Sequence, residues 1–243
     1  MKSKLSPWGN LQAMTEGQRS QPRKSFGDFD DQSLWPESDA ALLQVCPPKT
    51  ELFRQGSPAK TAFFVETGLV KLIRVESDGR EVIADLRYPS SVLGAAEIIV
   101  QQPHTLTAIT VTKCRLKRFS AESFLNQLKT DTHISWSIHQ SHGEELRHQR
   151  ARMIELSCLS ARHRLERLLL QLLSASESNP ALRQIQFHLP LKDWEVAELI
   201  AVTPSYLSRL LNELEKEGLI KKKGRSLTIM EPLSLRHWAD DFL

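Results

Sequence analysis

The sequence predicts an α+β protein in three parts: an N-terminal β-roll of jelly-roll type, one long helix, and a C-terminal winged helix-turn-helix. Three observations carry this. Residues 49–119 hold short β-rich runs separated by glycines. Residues 131–157 contain no proline and a single glycine. Two segments of helical apolar period, at 191–218, flank a tight turn and precede a basic hairpin. With 243 residues the chain has room for about two domains of ordinary size.

Taken in order, residues 1–35 are rich in Ser, Gln, Gly, Pro and charge and show no period, which predicts a mobile arm that could dock through Trp8, Phe26 or Trp35. Trp35 to Leu43 predicts a short helix, with Pro36 and Glu37 in its first turn and Pro47 beyond its end. The β-roll is expected over residues 36–130. Its strands are Phe63–Glu66, Leu69–Val75, Glu81–Leu86 and Leu106–Val111, with Gly56, Gly68, Gly79 and Gly94 at the turns between them. Ser77, Asp78 and Gly79 form a hairpin signal.

The long helix is expected over residues 131–158. Ile134, Ile138, Leu146, Met153 and Leu156 give it a narrow apolar seam, interrupted by His142, Glu145 and Gln149. A seam this narrow suits pairing with a second copy of itself. Ser157 to Ser160 is the expected hinge into a third part over residues 159–243. That part opens with an amphipathic helix at Leu159–Leu173, followed by a loop at Ser174–Pro180.

In the two-helix motif, Val196, Leu199 and Ile200 form one stripe, with Glu195 and Glu198 expected to face outward. Ala201 and Val202 make the turn. Thr203 is a good N-cap, and Pro204 stands at the first helical position, where its missing N–H costs nothing. Leu207, Leu210, Leu211 and Leu214 face inward, and Gly218 supplies the stop. That leaves Ser205, Tyr206, Ser208 and Arg209 in solvent, all donors near a helix end that favours phosphate. Residues 219–230 then read as two short strands around Lys221, Lys222, Lys223, Gly224 and Arg225, and Leu233–Phe242 as a closing helix. A capped donor helix followed by a basic wing implies double-stranded DNA as partner.

The totals narrow the function further. A net charge of +3 is too small for a nucleic-acid coat, so DNA affinity has to come from local placement. Three cysteines, Cys46, Cys114 and Cys158, stand far apart with no C-x-x-C spacing, which implies a reducing compartment and neither a disulfide frame nor a zinc site. No apolar run approaches the ~20 residues that span a bilayer, and the N-terminus lacks a signal-peptide pattern. A cytoplasmic protein with no membrane partner is expected.

The stretch Thr203, Pro204, Ser205, Tyr206, Leu207, Ser208, Arg209 resembles the recognition helix of the Crp/Fnr family of bacterial transcription regulators, and the glycine positions of the β segment resemble that family's cyclic-nucleotide-binding β-roll. The resemblance covers nearly everything after the arm. It implies a homodimer whose dimerisation helix lies at 131–158, and an Arg209 that reads guanine through O6 and N7, as in the Fnr-like branch. Ser208 and Ser205 are then expected at base edges, and Thr203, Tyr206, Lys192, Lys222, Lys223 and Arg225 at phosphates. RNA polymerase is a further partner if the protein is an activator. Two departures, Ser205 for the usual acidic residue and Ala201 for the usual turn glycine, bear on the operator sequence.

The resemblance supplies no effector, and no cofactor is expected. Cyclic-AMP-binding members hold the ribose with a Gly-Glu pair and the phosphate with an Arg about ten residues on. Here Ala95 takes the Glu place and Thr105 or a neighbour the Arg place; Glu97 could replace the Glu by a register shift, but nothing replaces the Arg. A buried phosphodiester would stay unpaired.

Two other readings stand beside this one. A β-roll binding module could act through a protein partner, against which the Lys-Gly-Arg wing argues. A cupin-like metal enzyme would need several ligands inside the barrel, where the β segment offers only His104, read as a surface-loop residue. His139 and His142 share a helix face but are read as solvated or packed, so no metal is expected.

Overall fold

In the computed structural model, residues 41–174 and 184–230 are described. The arm, residues 35–40 of the expected first helix, residues 175–180 of the loop and the closing helix lie outside them. Leu42 and Leu43, expected at the end of that helix, instead open a strand, β1 (Leu42–Cys46). Pairing decides this: β1 runs antiparallel to β8 (Cys114–Ser120), with Leu42 opposite Arg118 and Cys46 opposite Cys114. A ladder partner overrides a weak local helix preference.

Between them run β2 (Glu51–Phe53), β3 (Thr61–Thr67), β4 (Val70–Val75), β5 (Glu81–Arg87), β6 (Val92–Leu93), a short helix α1 (Ala95–Val100) and β7 (Thr107–Thr110). They form two four-stranded antiparallel sheets, ordered β1-β8-β3-β6 and β2-β7-β4-β5. Phe63, Val65, Val70, Leu72, Leu93, Ala108 and Leu116 make a core shared by strands of both sheets. Gly68 is required where β3 turns into β4. Its φ is +98°, and an added Cβ would lie 2.6 Å from both Cys114 Sγ and the Lys113 carbonyl.

Two helices follow, α2 (Ala121–Thr130) and α3 (Thr132–Cys158). Asp131 separates them: its side chain caps α3 by accepting from the His133 and Ile134 amides. The 27 residues of α3 make a rod about 40 Å long. Its N-terminal half packs on the β-roll, where Ile134 and Ile138 are buried with Ala62, Ile98, Phe119 and Phe124.

The chain leaves α3 at Leu159, in extended conformation, and enters α4 (Ala161–Ser174). Then come β9 (Ile185–His188), α5 (Asp193–Leu199), α6 (Pro204–Lys216), β10 (Ile220–Lys223) and β11 (Ser226–Ile229). The last two strands pair with β9 into a three-stranded antiparallel sheet, ordered β10-β11-β9. Strand β9 was not anticipated, although Ile185 and Phe187 alternate with exposed Gln186 and His188, the period of a half-buried strand. Leucines of α4, Leu207, Leu210 and Leu214 of α6, and Ile220, Leu227 and Ile229 of the wing share one core. That core also takes in Leu69, Ile73, Ile83 and Leu86 of the β-roll.

Candidate nucleic-acid interface

Helix α6 starts as the sequence implies. Thr203 Oγ1 accepts the Tyr206 amide at 3.2 Å, and Pro204 opens the first turn. Ala201 takes the left-handed conformation (φ 53°) at the turn, a geometry that suits glycine and costs an alanine about 1 kcal/mol. At the other end Gly218, with φ 73°, closes the helix, and the Leu219 amide returns to the Leu214 carbonyl at 3.0 Å.

Leu207, Leu210, Leu211 and Leu214 are buried, which leaves Ser205, Tyr206, Ser208 and Arg209 exposed on the first two turns. The Arg209 guanidinium lies 5.2 Å from the Tyr206 ring centre, one turn back on the same helix. That contact restrains a long cation without covering its donors. Ser208 donates its hydroxyl proton to the Pro204 carbonyl at 3.1 Å, so its oxygen is left to accept. Thr203 has the reverse bias: its oxygen accepts within the cap, and its proton remains to be given.

The cations expected at phosphates divide. Lys192, Lys223 and Arg225 are exposed, and Lys192 lies 5.8 Å from the Trp194 ring centre. Lys222 is drawn back. Its ammonium pairs with Asp193 at 2.7 Å, and its amide donates to Glu215 at 2.6 Å. It ties the wing to α5 and leaves Lys223 and Arg225 at the tip.

The two glutamates of α5 correct the sequence reading, because both face inward. Glu195 is only 6% exposed; one of its oxygens accepts from Lys71 of β4 at 2.6 Å and the other from the Lys192 amide at 2.8 Å. Glu198 accepts from the Ile83 amide of β5 at 3.2 Å. The C-terminal end of α5 is held too. Arg152 of α3 donates to the Leu199 carbonyl at 3.0 Å, and Arg164 of α4 donates to Ile200 at 2.9 Å. These carbonyls end a helix and have no intrahelical donor, so the cations satisfy them and complement the dipole. The recognition element is therefore fastened to the β4–β5 hairpin and to the long helix.

The apolar seam needs a correction as well. Ile134 and Ile138 are 3% and 2% exposed, covered by the β-roll of their own chain, and are not available to a second copy. Leu146, Met153 and Leu156 are exposed, together with Trp136 and Ile154, which the sequence reading passed over.

At the β-roll's counterpart of the nucleotide cassette, Gly94 takes φ 75° at the start of α1 and Ala95 is buried. Thr105 donates to Glu97 at 3.2 Å. His104 is no surface residue: it is 3% exposed and stacked on Phe53 with ring centres 3.9 Å apart. Burial lowers its pKa, against the opposing pull of Glu97. A groove of about 400 Å³ beside α1 is lined by Pro58, Ala59, Ile98, Pro103, Ala121 and Leu125, with Glu97 as its charged group. Among the described residues, no group of three or more His, Cys, Asp or Glu is placed to hold a metal ion, and no helix is long and apolar enough to cross a membrane.

Comparison with known proteins meets this geometry from outside. The cyclic nucleotide-binding domain model matches residues 43–131, and the Crp-like helix-turn-helix domain model matches residues 163–238. The CRP-like cAMP-activated global transcriptional regulator of Mycobacterium tuberculosis (strain CDC 1551 / Oshkosh) is 24% identical over 207 residues, 82% of this chain and 91% of that one. The transcriptional activator protein FnrA of Stutzerimonas stutzeri is 26% identical over 185 residues, 76% and 75% of the two chains. Among solved structures, FixK2 from Bradyrhizobium japonicum superposes with a TM-score of 0.69 at 21% identity, covering 81% of this chain and 96% of that chain. A cyclic-nucleotide-binding β-roll, a long helix and a Crp-like helix-turn-helix thus follow one another in a single chain, which belongs to the Crp/Fnr family of DNA-binding transcription regulators.

Proposed function

We propose that this regulator binds a two-fold operator as a homodimer, that Arg209 reads a guanine in each half-site, and that cyclic AMP and cyclic GMP are not its effectors. The observation that carries the DNA reading is Arg209 itself, exposed and braced on Tyr206, in a chain whose wing also leaves Lys223 and Arg225 exposed. Its planar fork spans both guanine acceptors, which a lysine does less well. Ser205 and Ser208 lie at neighbouring base edges. Thr203 and Tyr206, with Lys192, Lys223 and Arg225, hold phosphates. Lys222 contributes through its bridge to Asp193. If the protein activates transcription, RNA polymerase is its further partner.

Dimerisation runs along α3 through Leu146 and Met153, seven residues apart. Trp136, Gly143 and Ile154 lie within about 100° of them around the helix. Gly143 leaves open space where a side chain would stand, so two helices can approach closely there.

The absence of a cyclic-nucleotide response rests on Ala95 and Thr105, which stand where the cyclic-AMP-binding members place their Glu and Arg. The relative in Mycobacterium tuberculosis is named for activation by cAMP; this chain keeps the fold and lacks the cation.

Selection of DNA from a random pool, followed by titration of wild type and Arg209→Ala, tests the central reading. The variant should lose ~1–3 kcal/mol on the selected site and relax its preference at one base pair per half-site. Equal losses on selected and random DNA would remove this helix from base readout. Calorimetry showing micromolar affinity for either cyclic nucleotide would overturn the effector reading.

A further inference from the structure

Cys46 and Cys114 face each other across the β1–β8 ladder as direct partners. Residues so opposed project from the same face, with Cα atoms about 4.5–5.5 Å apart, and a disulfide accepts about 4.4–6.8 Å. Both thiols are free, 2% and 0% exposed, and lie in one apolar cluster. Burial pushes the Cys114 thiol up, and the nearby Cys46 sulfur adds to this. Cys158 stands apart on the surface, at the end of α3.

We propose that Cys46 and Cys114 form a redox modification site, closed by hydrogen peroxide into a disulfide within the chain. Among the described residues β1 is an edge strand, with Leu42, Leu43 and Val45 exposed, so its fraying admits an oxidant the size of two waters to Cys46. The Cys46 thiolate attacks one peroxide oxygen and the O–O bond breaks. This gives Cys46 sulfenic acid and a hydroxide, which takes up the proton that the thiol released. The Cys114 sulfur then attacks the sulfenic sulfur, the S–O bond breaks, and water leaves with the Cys114 proton. Two thiols and one peroxide become one disulfide and two waters. The sulfurs lose two electrons and the peroxide gains them.

The reduced form has its own anchorage. The Cys114 thiol lies between two acceptors, the Leu69 carbonyl at 3.5 Å and the Thr112 carbonyl at 3.4 Å, and its sulfur fills the space left by Gly68. Leu69 packs in the core that α4, α5 and α6 share. Turning the Cys114 sulfur toward Cys46 removes its contacts with Leu69 and Gly68 from the β3–β4 turn, whose Leu69 packs in that core. In a reducing compartment such a bridge is transient, as suits a sensor.

The test uses the full chain with Cys158→Ser, exposed to graded hydrogen peroxide beside a urea-unfolded sample of the same protein. Both remaining thiols should disappear together. The chain should lose two hydrogens in mass, run as a single chain on a non-reducing gel, and regain its thiols with dithiothreitol. Adding Cys114→Ser should change the product, because Cys46 without its partner proceeds to stable oxygen adducts. The inference is overturned if both thiols survive, in the folded protein, doses that oxidise the unfolded one. Oxygen adducts on the two-cysteine chain, or bridges between chains, would overturn it as well. None of these outcomes depends on DNA binding.

Discussion

Lys71→Met tests whether the helix-turn-helix is docked on the β-roll in solution. The Lys71 ammonium sits 2.6 Å from a Glu195 oxygen, and the two side chains are 15% and 8% exposed. Truncating the cation strands a nearly dry carboxylate that keeps only the Lys192 amide, 2.8 Å from its other oxygen. Stranded buried charges cost ~3–5 kcal/mol and lost charged hydrogen bonds ~1.5–3, so a loss of about 3 kcal/mol is expected. Glu195→Gln should cost less, about 1–2 kcal/mol, because the amide still accepts from Lys192 and the flexible lysine can reach water. The double variant should lose less than the sum of the singles, giving a coupling of about 2 kcal/mol. Urea unfolding followed by tryptophan fluorescence at fixed protein concentration measures all four corners, with Trp194 beside the pair. Single losses and a coupling below about 0.5 kcal/mol, the value of an exposed pair, would refute the docked arrangement.

Further predictions follow from the same contacts. Met153→Glu should dissociate the proposed dimer and leave a folded monomer, whereas Ile138→Glu should destabilise the β-roll by several kcal/mol through an uncompensated buried charge; sedimentation beside thermal unfolding separates the two. Lys223→Ala should lower the salt slope of DNA binding by about one unit, while Lys222→Ala should leave the slope unchanged and cost no more than ~1 kcal/mol of stability; equal slopes for both variants would contradict the division of the wing. Burial depresses the pKa of His104 and of His148. The unfolded chain therefore takes up protons near pH 6.5 that the folded chain refuses. Stability should be full above that pH and fall below it, by up to about 1.4 kcal/mol per pH unit for each group. Urea midpoints at pH 7.5 and 5.5 should differ less in His104→Gln than in wild type, and an unchanged difference would contradict the burial effect.

Much of this protein is local enough to read along the chain. Cap, turn, stop and apolar stripe lie within one or two helical turns of each other in α6, so Thr203, Pro204, the four leucines and Gly218 could be assigned without a partner. The same holds for the long run of α3 and the hairpin at Gly79. Pairing partners are not local. Strand β1 exists because β8 lies beside it, nearly seventy residues on, and β9 because the wing folds back onto it.

Direction is decided by tertiary structure for a similar reason. An apolar or charged residue on a helix shows its azimuth in the sequence but not what stands opposite. Ile134 and Ile138 share a helix with Leu146 and Met153, yet the β-roll covers the first pair and not the second. Glu195 and Glu198 read as a solvated face until β4 and β5 bring Lys71 and the Ile83 amide against them. Lys222 and Lys223 are adjacent in the sequence, but alternation along β10 turns one toward Asp193 and leaves the other in solvent. The sequence by itself determined the elements whose signals are local, and which residues along them carry charge or apolar surface. Only packing between distant segments decided which of those residues are already engaged, because burial and ion pairing depend on what the folded chain places opposite each side chain.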